Sequence, residues 1–320
     1  MTRARLFTLV LGPVVIVGGL YWLTMPDFKE RAFAAAGIWP SRAPAPSAAA
    51  THESLEAACR ALAAELAARL GAECRVIVRA PFVLGGDLTE HQLDERYREV
   101  IVPTSRGLAT CYFDVKPYEP VTILMFATDA SYQRHARMLD GNPRAVYSGY
   151  YQRAERRVVL NASTGGGTLA HELTHALAHF DFPDMPEWFD EGLSSVYEES
   201  VFSRDGLQIR GLSNWRLNHL LPAIRQDRLP DLEAMMASRT VRDGDQAVEY
   251  AHARYFCLYL QERQLLSHFY RKYRASAERD PAGIESLKEI LQVDSLRDVD
   301  QDFRRWVVNL DRSRSRPRQR

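Results

Sequence analysis

Five consecutive residues, His171-Glu172-Leu173-Thr174-His175, constrain this chain more than any others. On an α-helix, positions i and i+4 lie one above the other on one face, so this spelling brings two imidazoles within reach of a single metal ion. Glu172 stands beside them, where it can take a proton from a metal-activated water instead of binding the metal. A hydrolytic zinc site needs three protein ligands and an open fourth position. The fold must therefore supply a helix with a polar stripe and a second element that delivers one more ligand.

The surroundings agree with a helix. Leu169, Leu173, Ala176, Leu177 and Phe180 recur at helical spacing, which predicts an amphipathic helix over 166–180. The stretch Thr164-Gly-Gly-Gly-Thr168 reads as a loop, with Thr168 as the N-cap. Downstream, Pro183 and Pro186 mark a loop, and Pro186-Glu-Trp-Phe-Asp-Glu-Gly192 opens a second helix, expected from Trp188 to about Glu199 and antiparallel to the first. Glu191 on that helix is the favoured third ligand. Two competitors remain open. His179 is one turn beyond His175, about 6 Å farther along the axis. Asp181 sits where another zincin class places its ligand, but that class has a glycine turn where this chain has Ala178.

The pair HELTH and PEWFDEG resembles the gluzincin metallopeptidases, the superfamily of thermolysin and aminopeptidase N, and is most similar to the bacterial peptidase MA-like proteins. The resemblance is specific over about residues 145–200 and looser to about 265. It implies zinc on His171, His175 and Glu191, and Glu172 as general base. It also implies an oxyanion donor near the start of a helix at Glu249–Leu260, where Tyr250 matches best and His252 and His219 are reserves. Two departures stand out. Asp190 replaces a frequent Asn, and is read either as an orienter of a histidine or as a charge at a helix N-terminus. Ser195 stands where an acidic residue often follows the ligand by one turn. The Gly-x-Met-x-Asn motif with which aminopeptidases hold a free amino terminus is not found, which points to an endopeptidase.

Tyr147–Gln152 and Arg157–Asn161 read as two short strands joined by a charged turn, one of them an edge to which an extended peptide could add. Residues 53–70 read as an Ala/Leu helix, Cys74–Val78 as a strand, Thr89–Ile101 as a helix, and Pro120–Phe126 as a central strand. Strands and helices thus precede the metal helix, and mostly helices follow it. The expected class is α+β, a zincin-like metallopeptidase domain over 53–310 with a mixed-sheet lobe and a helical C-terminal lobe.

At the N-terminus, Leu6–Leu23 is an uncharged apolar run behind Arg3 and Arg5, about 27 Å long as a helix. Residues 1–24 are expected to be a retained signal anchor, with a cleaved signal peptide as the rival. Basic residues on its N-terminal side place the remainder outside the cytoplasm, at a single-pass bacterial inner membrane facing the periplasm. Residues 25–52, rich in Pro and Ala, read as an extended linker. Residues 311–320, with five Arg, read as a disordered tail.

Lys and Arg total 41, as do Asp and Glu, so no nucleic-acid partner is expected. The partners expected are a peptide or protein substrate and the membrane. Cys59, Cys74, Cys111 and Cys257 in an exported chain suggest one disulfide among the first three, with Cys257 a buried thiol. No Cys-x-x-Cys spacing occurs, so zinc is the only cofactor implied. Alternatives to a peptidase are a zinc-binding pseudoenzyme that scaffolds the cell envelope, and a zinc amidase acting on cell-wall peptides.

Overall fold

The computed structural model describes residues 48–141, 147–238 and 245–315. The expected anchor lies outside them, as does most of the linker. No helix among the described residues is long and apolar enough to cross a membrane.

The chain begins with α1 (Ala48–Leu70), which corrects the linker boundary: the last residues assigned to the linker, 48–52, are already helical. The alanines there favour helix, and no proline interrupts them. A hairpin of β1 (Arg75–Arg79) and β2 (Phe82–Gly86) follows, then α2 (Glu90–Arg96), a single π turn (Tyr97–Ile101) and α3 (Val102–Cys111). Thr89 closes a capping box with Gln92 at the start of α2. The helix expected to stop at Ile101 continues through the π turn into α3, with Pro103 in the first turn after it.

Next come β3 (Val121–Phe126), α4 (Asp129–Asp140), β4 (Gly149–Gln152) and β5 (Arg157–Asn161). The sheet order is β1-β2-β3-β5-β4. β2, β3 and β5 run parallel, and β1 and β4 are antiparallel at the two edges. The fold is therefore α+β with a mixed sheet. β3 is central, as expected. β2 was not foreseen, because Phe-Val-Leu-Gly-Gly ends in residues that read as a turn.

Alternation along the strands sorts the core onto two faces. Val121, Ile123 and Met125 of β3, with Val158 and Leu160 of β5, join the larger cluster. Leu124, Phe126 and Val159 point the other way, into a cluster with Cys59, Leu66 and Leu70 of α1 and Tyr132, Ala136 and Leu139 of α4. The larger cluster includes residues from Ile77 to Val307, so the sheet and the later helices share one core.

On that larger face lies α5 (Gly166–Asp181), followed by α6 (Glu187–Val196) and a small hairpin, β6 (Ser200–Phe202) and β7 (Ile209–Gly211). Helices α7 (Leu217–Arg225), α8 (Leu232–Ala237), α9 (Gln246–Glu262), α10 (Leu266–Ser276), α11 (Ile284–Leu291) and α12 (Arg297–Ser315) complete the described chain. α12 corrects the tail assignment, since helix continues through 311–315; residues 316–320 lie outside the described residues. All four cysteines are free, so the expected bridge is absent. Cys59, on α1, and Cys74 share the cluster beneath that helix, whereas Cys111 joins the opposite face of the sheet.

Candidate metal centre

The apolar stripe foreseen on α5 is buried in full, which turns the opposite stripe, His171, Glu172 and His175, toward a cleft of about 960 Å³. The helix begins at Gly166, as expected, but its cap is not Thr168. Gly165, at φ 92°, is its N-cap, and Thr168 lies inside the first turn with its hydroxyl 3.1 Å from that of Thr164.

α6 carries the next residue to the site. Trp188 and Phe189 sink into an aromatic cluster with Phe269 and Tyr273, which leaves Asp190 and Glu191 facing α5. Gly192 allows this approach: a Cβ there would lie 2.9 Å from both the Ala253 carbonyl oxygen and Cys257 Sγ on α9. The glycine after the carboxylate is therefore a packing requirement.

His171 Nε2 and His175 Nε2 are 3.0 Å apart, and Glu191 Oε2 lies 3.3 and 3.4 Å from them. Ligand atoms at about 2.05 Å from a tetrahedral zinc would be about 3.3 Å apart. The triangle therefore has the size of one face of such a coordination sphere, and these three residues could hold a metal ion. Glu191 Oε2 is fully buried and accepts no hydrogen bond. Its only near partners among the described residues are the two imidazoles, and a cation in the triangle would satisfy it directly.

The outer atoms of both imidazoles face carboxylates. His175 Nδ1 donates to Asp190 Oδ1 at 2.7 Å. His171 Nδ1 lies 3.2 Å from Glu198 Oε1 and 3.5 Å from Ser195 Oγ. With an ion in the triangle, a proton on each Nδ1 would leave the Nε2 lone pairs facing it, the tautomer that a metal ligand requires. Asp190 also accepts from His179 Nε2 at 2.9 Å, and Glu198 is held by Arg216 through two nitrogens, at 2.9 and 2.6 Å.

Burial alone would push the imidazoles toward neutrality and the carboxylates toward protonation. The carboxylate contacts outweigh it for the histidines, taking His171 up to about 9 and His175 well above the ordinary range. The cationic partners likewise hold Asp190, Glu191 and Glu198 below the usual carboxylate range. Three ionised carboxylates around two imidazoles make a site that collects positive charge. Glu172 differs: burial raises it, and it makes no side-chain hydrogen bond among the described residues, which leaves its carboxylate open to the cleft.

The competitors for the third ligand are occupied elsewhere. His179 is spent on Asp190. Asp181 is fully buried at the end of α5, where it accepts from the amides of Asp114 and Val115 and the Tyr270 hydroxyl, and pairs with Arg274. Tyr250 lines the cleft, with its ring 5.3 Å from the Arg216 guanidinium. Its two reserves do not line it. His252 is buried against Phe303 on the far side of α9, and His219 is exposed beside Trp215.

Glu198 is the residue that sequence reasoning missed. α6 ends at Val196, earlier than expected, and Glu198 comes round to His171 only after that end. Ser195 reaches the same nitrogen, so the acidic partner has in effect moved three positions downstream. Of the two expected strands, β4 is the edge: it pairs only with β5, and residues 147–151 line the cleft.

No protein-family model matches this chain, and no curated protein is similar to it.

Proposed function

We propose that the chain is a zinc-dependent peptidase of gluzincin type, an endopeptidase anchored in the bacterial inner membrane with its cleft on the periplasmic side. One observation carries the reading: the triangle of His171, His175 and Glu191, with its orphaned Glu191 oxygen. These three residues would hold the ion. Bound there, zinc supplies a Lewis acid that polarises a carbonyl and acidifies a water.

The chain's own residues do the rest. Asp190 and Glu198 orient the two imidazoles and hold the proton of each on its outer nitrogen when the inner one faces the ion. Glu172 takes a proton from the attacking water and passes it to the leaving amine nitrogen. Tyr250 donates to the carbonyl oxygen as negative charge develops on it. The free edge of β4 pairs with the backbone of an extended substrate, as in β-strand addition. The absence of the aminopeptidase motif and the open cleft both favour internal bonds.

The test is zinc content together with peptide-library cleavage, for wild type and Glu172→Gln. The proposal expects about one zinc per chain in both and cleavage in the wild type alone. Zinc in both with cleavage in neither would leave a zinc-binding scaffold as the better reading.

A further inference from the structure

Cys74, expected in a disulfide and found free, has a histidine beside it instead of a second cysteine. It stands at the end of the turn before β1, buried, with its Sγ 3.7 Å from His135 Nε2 on α4. His135 is 2% exposed and stacks on Phe126 of β3, with ring centroids 4.2 Å apart. The pair lies on the face of the sheet turned away from the cleft.

The second ring nitrogen decides what the first can do. His135 Nδ1 lies 2.8 Å from the carbonyl oxygen of Ser131, one turn back on α4, and a carbonyl only accepts. A neutral ring therefore carries its proton on Nδ1 and turns the Nε2 lone pair toward the thiol. Metal-bound imidazoles are held by the same kind of outer hydrogen bond. Glu73 Oε1 also lies 3.7 Å from that Nε2. A sulfur and a carboxylate oxygen thus both face a nitrogen lone pair, with only the thiol proton among the three. Burial pushes that thiol up, and the charges of Asp87 and then Glu73 push it further. The same two carboxylates draw a cation toward the sulfur.

The spacing suits an ion. One bonded to sulfur at about 2.3 Å and to nitrogen at about 2.05 Å, at a tetrahedral angle, holds the two atoms about 3.6 Å apart. Glu73 is the adjustable member: it is exposed and pairs with Arg134 at 3.0 Å, a surface ion pair of the kind worth little in water. We propose that Cys74 and His135, with Glu73 closing over them, form a second metal site that takes one soft monovalent ion, Cu⁺ or its analogue Ag⁺. Thiolate sulfur selects soft ions, and two fixed ligands with one adjustable carboxylate fall short of the four protein ligands of a structural zinc site. On binding, the S–H bond breaks and the proton passes to solvent. Sulfur and Nε2 then each bond the ion, whose oxidation state is unchanged. The ion ties the turn before β1 to α4. This inference is independent of the peptidase reading.

The experiment titrates the full chain, zinc-treated and in detergent, with Cu⁺ under ascorbate against the chelator bicinchoninate, and reads zinc content alongside. The expected result is about one Cu⁺ per chain with zinc content unchanged. Cys74→Ser should abolish this binding, and Cys111→Ser should leave it as in wild type. His135→Gln should weaken it at least about tenfold, the least that even an outer partner of a ligand costs. Circular dichroism checks that the variants fold. Copper X-ray absorption on the wild-type chain, which needs no variant, should show sulfur and imidazole nitrogen together at the ion. No Cu⁺ taken from the chelator, binding that survives Cys74→Ser, or an ion with sulfur neighbours alone overturns the site. Binding that needs Cys74 but is indifferent to His135→Gln also overturns it and leaves a bare thiol. Peptide cleavage by the same samples bears on the peptidase reading alone.

Discussion

Two regions of this protein bury histidines and treat them in opposite ways. On the floor of the cleft, His171 and His175 are surrounded by Asp190, Glu191 and Glu198. On α9, only one helix away, His252 is stacked on Phe303 and neither ring nitrogen has a hydrogen-bond partner. Burial, helped by nearby Arg304, pushes His252 down to about 3. The same desolvation acts on all three imidazoles. The difference lies in the partners: carboxylates make the first region a receptacle for positive charge, and their absence makes the second a neutral piece of core.

The sharpest way to break this contrast is to remove the charge to which the proposed reading gives a chemical role. Glu172→Gln should lower kcat/KM for peptide cleavage by about 10²–10⁴-fold, the range for a positioned general base, while zinc content stays at the wild-type level. Loss of zinc from this variant would assign Glu172 to holding the metal. Glu191→Ala comes next. It should empty the site of zinc under dialysis conditions that leave the wild type loaded, as read by metal analysis. If Asp181→Ala loses zinc and Glu191→Ala does not, the third ligand is wrong.

Smaller effects are expected one step out. Asp190→Asn and Glu198→Gln should each weaken zinc binding by about 10–100-fold in a competition with a chelating dye, with the fold intact by circular dichroism. An unchanged affinity in Glu198→Gln would show that Ser195 alone orients His171.

The smallest expected effect tests the other region. His252 stays neutral in the folded chain down to about pH 3, but in the unfolded chain it takes a proton near 6.5. The unfolded state therefore binds more protons between those values, and stability falls as pH drops through that window, by at most about 1.4 kcal/mol per unit from this group. His252→Leu should flatten the urea-midpoint profile between pH 6.5 and 4.5 relative to wild type. An identical slope in both would show that His252 gains a partner or a proton in the folded state.

The parts legible in the sequence were those governed by short-range period. The stripe from Leu169 to Phe180 and the i, i+4 histidines defined α5, and Glu191 followed from the need for a ligand beyond a proline-marked loop. The unbroken apolar run of β3 and the β4–β5 hairpin were equally plain. The misreadings share a cause, which is that neighbours distant in sequence overrule local preference. Thr168 is a better N-cap than glycine by composition, yet α5 starts at Gly166. The glycines of β2 look like a turn but sit fully buried between β1 and β3. Cys59, Cys74 and Cys111 stay reduced, with Cys111 across the sheet from the other two.

What the sequence determined by itself is the set of groups at the centre: two imidazoles at helical spacing, a glutamate between them and a carboxylate to follow. That much is set by the geometry of one helix, which needs no tertiary information. The tertiary structure decided which groups surround that chemistry. It brought Glu198 past the end of α6 to His171, turned Asp190 onto His175 and His179 together, sent His252 into the core, and left β4 as the edge. Each of these depends on how helices and strands pack, and packing distances between residues far apart in the chain are not written in any local period.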